Sequence, residues 1–294
     1  MKNLLIYILI IIATLFGNEP FEDDEDIIIR DHFHYFIKDI ELLNTKIDFK
    51  LGEMKLKPNL SHQSEFEGFS EYNPLYFKTP KVEYHVSGKL GYLKIKTKSI
   101  SHDDENFSFD WDKSHFRNKS EFKFPLSVPT KMRLEFGMGE AEIDLTGMQI
   151  KSLDLECGMG SVTLNVKSMN PIECEELDIE TGMGEFEGVG MGYIRAETVN
   201  IDVGLGSATL DFSDKIIEDM NIEVNVGLGS IDIILPTDAN ISVQVDDHFL
   251  SSVNVEDLVK KGNKYFSPIW RNERPTITLD MSVGLGSIDL ELED

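Results

Sequence analysis

The chain has 294 residues, 41% of them hydrophobic, and a formal charge of −25 at pH 7. That length supports a sizeable core and one or two domains. The acidity excludes electrostatic binding of nucleic acid or of an anionic lipid surface as the main task.

In chain order, residues 1–17 begin with Lys2 and continue as LLIYILIIIATLF, an apolar run of 13 residues. That length suits a secretory h-region and falls short of the roughly 20 residues of a spanning helix. It reads as a signal peptide, with retention as an anchor the alternative, and the mature chain is expected to carry no membrane span. Residues 18–45 form an acidic N-terminal segment. His32 and His34 would share a face if this segment were a strand, but no third ligand stands at a recognisable spacing, so no metal is assigned. Residues 46–126 form a less regular β region. In KIDFKLGEMKLKP the apolar residues Ile47, Phe49 and Leu51 precede Gly52, and Met54 and Leu56 follow it on the opposite parity. A looser relative surrounds Gly91, with Leu90 before it and Leu93 and Ile95 after. Residues 61–80 and 101–122 are polar, aromatic and turn-rich, and read as loops or edge strands.

Residues 127–294 repeat a cassette: FGMGEAEIDL, CGMGSVTLNV, TGMGEFEGVG, VGLGSATLDF, VGLGSIDIIL and VGLGSIDLEL. The first glycines are Gly137, Gly158, Gly182, Gly204, Gly227 and Gly284; the second are Gly139, Gly160, Gly184, Gly206, Gly229 and Gly286. The first five copies recur every 21 to 24 residues, a period that marks a repeat architecture. Apolar residues alternate with polar ones before each Gly-x-Gly, as in Val199, Ile201 and Val203. They resume one residue out of phase after it, as in Ala208 and Leu210. A one-residue slip would turn every later side chain to the wrong face of a flat strand, unless the chain turns a corner or carries a bulge there. Glycine suits that corner, and the middle Met or Leu is expected to pack inward. A phosphate cradle would need a following helix, and here another strand follows. The outward positions carry many carboxylates, among them Glu135, Glu156, Glu180, Asp202, Asp232 and Asp289, read as a solvated face. Cys157 occupies an inward column and Cys174 lies 17 residues on, off the repeat period; both are expected to be free thiols.

The repeat is interrupted between its fifth and sixth copies, over 236–275. This insertion carries Lys260, Lys261, Lys264 and Arg271 beside Tyr265, Phe266 and Trp270, a basic and aromatic group in an acidic chain. Insertions in repeat folds gather on one face and often bind, so these seven residues are the candidate partner-binding group. The plainer alternative is a cap over the end of the core. The terminal IDLELED is expected to lie at a sheet edge, where Glu291, Glu293 and Asp294 discourage pairing or a partner strand adds.

These elements predict an all-β fold: a β-solenoid, single-stranded and β-helix-like, of coils about 22 residues long. LSVPTKMRLEFGMGEAEIDLTGMQIKSLDLECGMGSVTLNV resembles the toast-rack β-repeat domains, through Gly137, Gly139, Glu140, Ile143, Asp144, Leu145 and Thr146. The closing cassettes are similar to the soluble domain of LiaF-type envelope stress proteins and to β-strand-repeat adhesins. The resemblance spans 46–294 and implies a right-handed solenoid-like fold, no catalytic residues and no cofactor. The expected function is that of a non-enzymatic exported scaffold for interaction, adhesion or stress sensing in the bacterial periplasm or on the cell surface. Its partner would be an envelope protein or a glycan. A carbohydrate-active lyase or hydrolase using surface carboxylates is the alternative.

Overall fold

A computed structural model describes residues 27–100, 117–247, 251–255 and 257–293; the apolar leader lies outside them. In chain order the strands are β1 (Ile29–Phe36), β2 (Leu42–Pro58), β3 (Glu65–Tyr72), β4 (Phe77–Ser87), β5 (Leu90–Ser99) and β6 (Asn118–Phe124). The long strands β7 (Thr130–Asp144), β8 (Ile150–Asn165), β9 (Cys174–Val189), β10 (Ala196–Asp211) and β11 (Met220–Pro236) follow. The chain closes with β12 (Asn240–Asp247), β13 (Ser251–Val255), β14 (Val259–Lys261), β15 (Lys264–Phe266) and β16 (Thr276–Glu293). All belong to one sheet.

The long strands β2, β7, β8, β9, β10, β11 and β16 stack in parallel, each paired with the next. The register aligns the cassettes: Gly52 faces Gly139, which faces Gly160, and the series continues through Gly184, Gly206 and Gly229 to Gly286. The single-glycine stretch around Gly52 is therefore the first rung of the stack. Each rung is one continuous strand whose buried parity changes at the glycines. In β10, Val199, Ile201 and Val203 are buried before the change and Ala208 and Leu210 after it. Both limbs therefore face the same interior. The connections supply the remaining wall, through buried Leu145, Met148, Val166, Met191 and Phe212, and all of these join a single apolar cluster. Asp144 and Asp211 close two of the long strands by accepting the amide hydrogens of Thr146 and Ser213, each at 2.9 Å, a local turn that redirects the chain toward the next rung.

Like columns stack because the register is exact to the residue: Phe49 and Phe136 lie with centroids 5.7 Å apart and planes 9° apart. Buried Asn170 clamps three rungs. Its amide nitrogen donates to the carbonyl oxygens of Ile150 at 2.7 Å and Ile194 at 3.0 Å, and its oxygen accepts from the Ile150 amide at 3.1 Å.

Both ends of the stack close in the same way. Beyond β2, the outer row is split between β5, on the limb before the glycine, and β6, on the limb after it. Beyond β16, the outer row is split between β12 and β13. Antiparallel strands then cover these rows: β4 on β5, β3 and β1 on β6, and β15 and β14 on β12. Three expectations change here. The insertion supplies the last row of the stack as well as a hairpin. The last cassette is interior, with β16 threaded between β11 and the row of β12 and β13 as far as Leu290, while residues 291–293 pair with β11 alone among the described residues. Gly91 is no corner, because Gly91, Leu93, Ile95 and Thr97 hold one buried parity along β5.

Candidate functional site

The insertion builds the most distinctive surface. β14 and β15 form a hairpin with Lys260 opposite Tyr265 and Lys261 opposite Lys264; Gly262 in its turn has φ +69°, a conformation that favours glycine. Lys260 Nζ lies 5.0 Å from the Tyr265 ring centroid and donates to its hydroxyl at 3.2 Å, and Lys261 Nζ lies 5.6 Å from the Phe266 centroid. Such cation–π contacts hold a lysine head over a ring while leaving it in solvent. Phe266 meets Trp270 edge-on at 6.1 Å. Trp270 is 46% exposed and its neighbour Ile269 60%, and Arg271 is exposed beside them.

The loop carrying Trp270 is fixed from below. Buried Asn240 donates to the carbonyls of Arg271 at 2.8 Å and Arg274 at 3.1 Å and accepts from the Arg271 amide at 2.9 Å. Ser267 and Ile241 exchange a second pair of bonds, 3.0 Å from the Ser267 amide to the Ile241 carbonyl and 3.2 Å from the Ile241 amide to the Ser267 hydroxyl. A rigid, amphipathic, locally cationic patch results, at the closed end of an acidic stack.

The repeat carries the chain's relationship. The family profile described as the N-terminal domain of toast_rack matches residues 17–187, more than half of the sequence. The chain belongs to the toast-rack family. A second profile, the C-terminal domain of the cell wall-active antibiotics response protein LiaF, matches residues 189–290 of the toast-rack chain. The boundary between the two falls within the stack, whose parallel pairing continues from β2 to β16. Among solved structures, a candidate cell adhesion protein from Clostridium sporogenes is 17% identical, with a TM-score of 0.48, covering 91% of this chain and 100% of that one. A candidate adhesin from Bacteroides fragilis is 14% identical, with a TM-score of 0.40, covering 90% and 97%. No curated protein matches the sequence.

Elsewhere on the toast-rack chain, the rungs place their outward carboxylates in columns. Asp154, Glu156, Glu176, Asp178, Glu180 and Asp202 border a shallow hollow of about 490 Å³. Arg133 enters it, donating to Asp154 at 2.7 Å and also to Glu156. Asp232 lies directly opposite Asp289; partial burial and then that neighbouring carboxylate push its carboxyl up.

The middle residue of each Gly-x-Gly faces outward, contrary to expectation. Met159, Met183, Leu205, Leu228 and Leu285 are 41–51% exposed and stack in register as an apolar row along the outside of the bend. The reason is parity: with the columns on both sides of the glycines buried, the residue between them sits on the convex side.

Cys157 and Cys174 are free and buried. Cys157 stands in the column of Phe136 and Thr181, and Cys174 faces Ala196. Burial pushes the Cys157 thiol up and the Cys174 thiol up to about 11, which removes the thiolate that reactivity needs. Among the described residues, no helix is long and apolar enough to cross a membrane.

Proposed function

We propose that the protein is a non-enzymatic, exported scaffold of the bacterial envelope that binds an anionic glycan through its β14–β15 hairpin. Membership of the toast-rack family, with its LiaF-like C-terminal match, supports the envelope setting. The observation that carries the reading is the exposed Trp270, set edge-on against Phe266 with Lys261 over that same ring and Arg271 next in sequence, on a loop that Asn240 holds rigid. An exposed aromatic stacks on a sugar face, and lysine and arginine heads answer acidic substituents. Rigidity lowers the ordering cost of binding. The carboxylate columns of the rungs repel a polyanion and so keep it off the middle of the stack.

Co-sedimentation of the purified protein with isolated bacterial cell-wall material tests the proposal. The wild type is expected to sediment in a salt-sensitive manner, and the triple variant K260A/K261A/W270A to remain in the supernatant. Equal sedimentation of the two proteins would move the site elsewhere. No sedimentation of either would end the glycan reading.

A further inference from the structure

β3 presents Glu65 and Glu67 two residues apart, hence on one face of the strand, and the turn that precedes it presents His62. One ligand atom from each, the His62 imidazole nitrogen and an oxygen of either carboxylate, lie within 4.8 Å of one another. Bonds of about 2.0–2.2 Å to a tetrahedral first-row ion place donors about 3.4 Å apart, a gap that rotation of these solvent-facing side chains closes. We propose that His62, Glu65 and Glu67 form a binding site for a divalent transition metal of the zinc class.

Three features distinguish this cluster from the acidic columns of the stack. Its donors are mixed nitrogen and oxygen, the set that selects zinc-like ions over calcium or magnesium. The turn is prebuilt: buried Asn59 accepts from the His62 amide at 3.0 Å and donates to the Glu65 carbonyl at 3.1 Å, fixing two of the three ligand-bearing residues relative to each other. A further histidine orients a ligand. β1 runs antiparallel to β3 with His34 opposite Glu67, and His34 Nε2 lies 2.7 Å from the second carboxylate's neighbour, Glu65 Oε2. An outer partner of that kind fixes a ligating carboxylate.

The ligands line an open hollow of about 500 Å³ between β1, β3 and β6, so an ion has a path in and a coordination position remains for water. His62 Nδ1 now hydrogen-bonds Glu67 at 2.9 Å, and Lys123 stands 3.6 Å from the other oxygen of Glu67. Metal replaces the first contact and displaces the second. All of these groups lie in the N-terminal cap, away from the β14–β15 hairpin, so the site is independent of the proposed glycan contact.

Isothermal titration of the full-length protein with zinc chloride, with bound metal counted after gel filtration, tests the site. One equivalent per chain is expected, removable by chelator. H62A and E67Q are each expected to weaken binding at least tenfold, and H34A by about 10–100-fold as an orienting partner. H85A, at a histidine stacked on Tyr92 instead, is expected to leave affinity unchanged. Circular dichroism of the metal-free variants checks that the fold persists; E67Q keeps the shape of its parent side chain and reports even if H62A does not fold. Absence of saturable binding, or wild-type affinity in folded E67Q and H34A, would overturn the proposal.

Discussion

At the scale of single residues, the glycines decide what each rung tolerates. Gly206 has φ +150°, and a Cβ built there would stand 1.9 Å from the carbonyl oxygen of Gly184 in the rung before. Gly204 has no positive φ, yet its Cβ would lie 2.8 Å from the Gly182 oxygen. Gly206, the second glycine of its pair, thus needs to be glycine for conformation and approach together, and Gly204, the first, for approach alone. Gly206→Val is expected to cost well over the about 1 kcal/mol of a Gly-to-Ala entropy change, because neither backbone can retreat without breaking the ladder. A thermal melt reads this, and an unchanged midpoint would contradict it. The need for glycine was legible from the parity change. The direction of the middle residue was not, because alternation says that faces exchange and leaves open which side of the bend is convex.

At the scale of elements, the insertion shows how a terminal row can carry a surface. β12 is held to β16 by parallel pairing and to the Trp270 loop by the side chain of Asn240. Asn240→Ala removes the side-chain partner of the part-buried Arg271 amide and Arg274 carbonyl, while the Arg271 carbonyl keeps the Arg274 amide, at a cost of about 1–2 kcal/mol. Faster hydrogen exchange at the Arg271 amide is the expected local signature, with the amides of β8 and β9 unaffected; uniform protection would show that the loop is fixed by other means. The basic and aromatic composition of 236–275 singled out the candidate patch from sequence. Its pairing of Lys260 with Tyr265 and of Phe266 with Trp270 depends on hairpin register and on a loop anchored by a residue more than 25 positions earlier, and neither leaves a local signal. The same holds for His62, Glu65 and Glu67. His32 and His34 are visible as a strand pair, while the ligand set itself comes from the neighbouring strand β3 and the turn before it.

At the scale of the whole molecule, a stack of open rungs has two exposed ends, and parallel strands with free edges invite further chains. Here both ends carry a split row and then antiparallel strands. Removing residues 1–126 would strip β1 to β6 and leave β7 as a bare parallel edge. The truncated protein is expected to self-associate on size-exclusion chromatography while the full chain does not, and a well-folded monomer of the truncated form would contradict the capping role. The sequence by itself determined the strand content, the repeat period, the phase change at the glycines and the inward columns, since these follow from side-chain alternation along one strand. Only the tertiary structure decided that the last cassette threads between β11 and β12, that Met159 and Leu205 face solvent, and that His62 meets Glu65 and Glu67. The physical reason is range: alternation is a property of neighbours in the chain, whereas row order and side-chain clusters are set by which distant strands pair, and the near-identical cassettes give several rungs almost equal claims on one another.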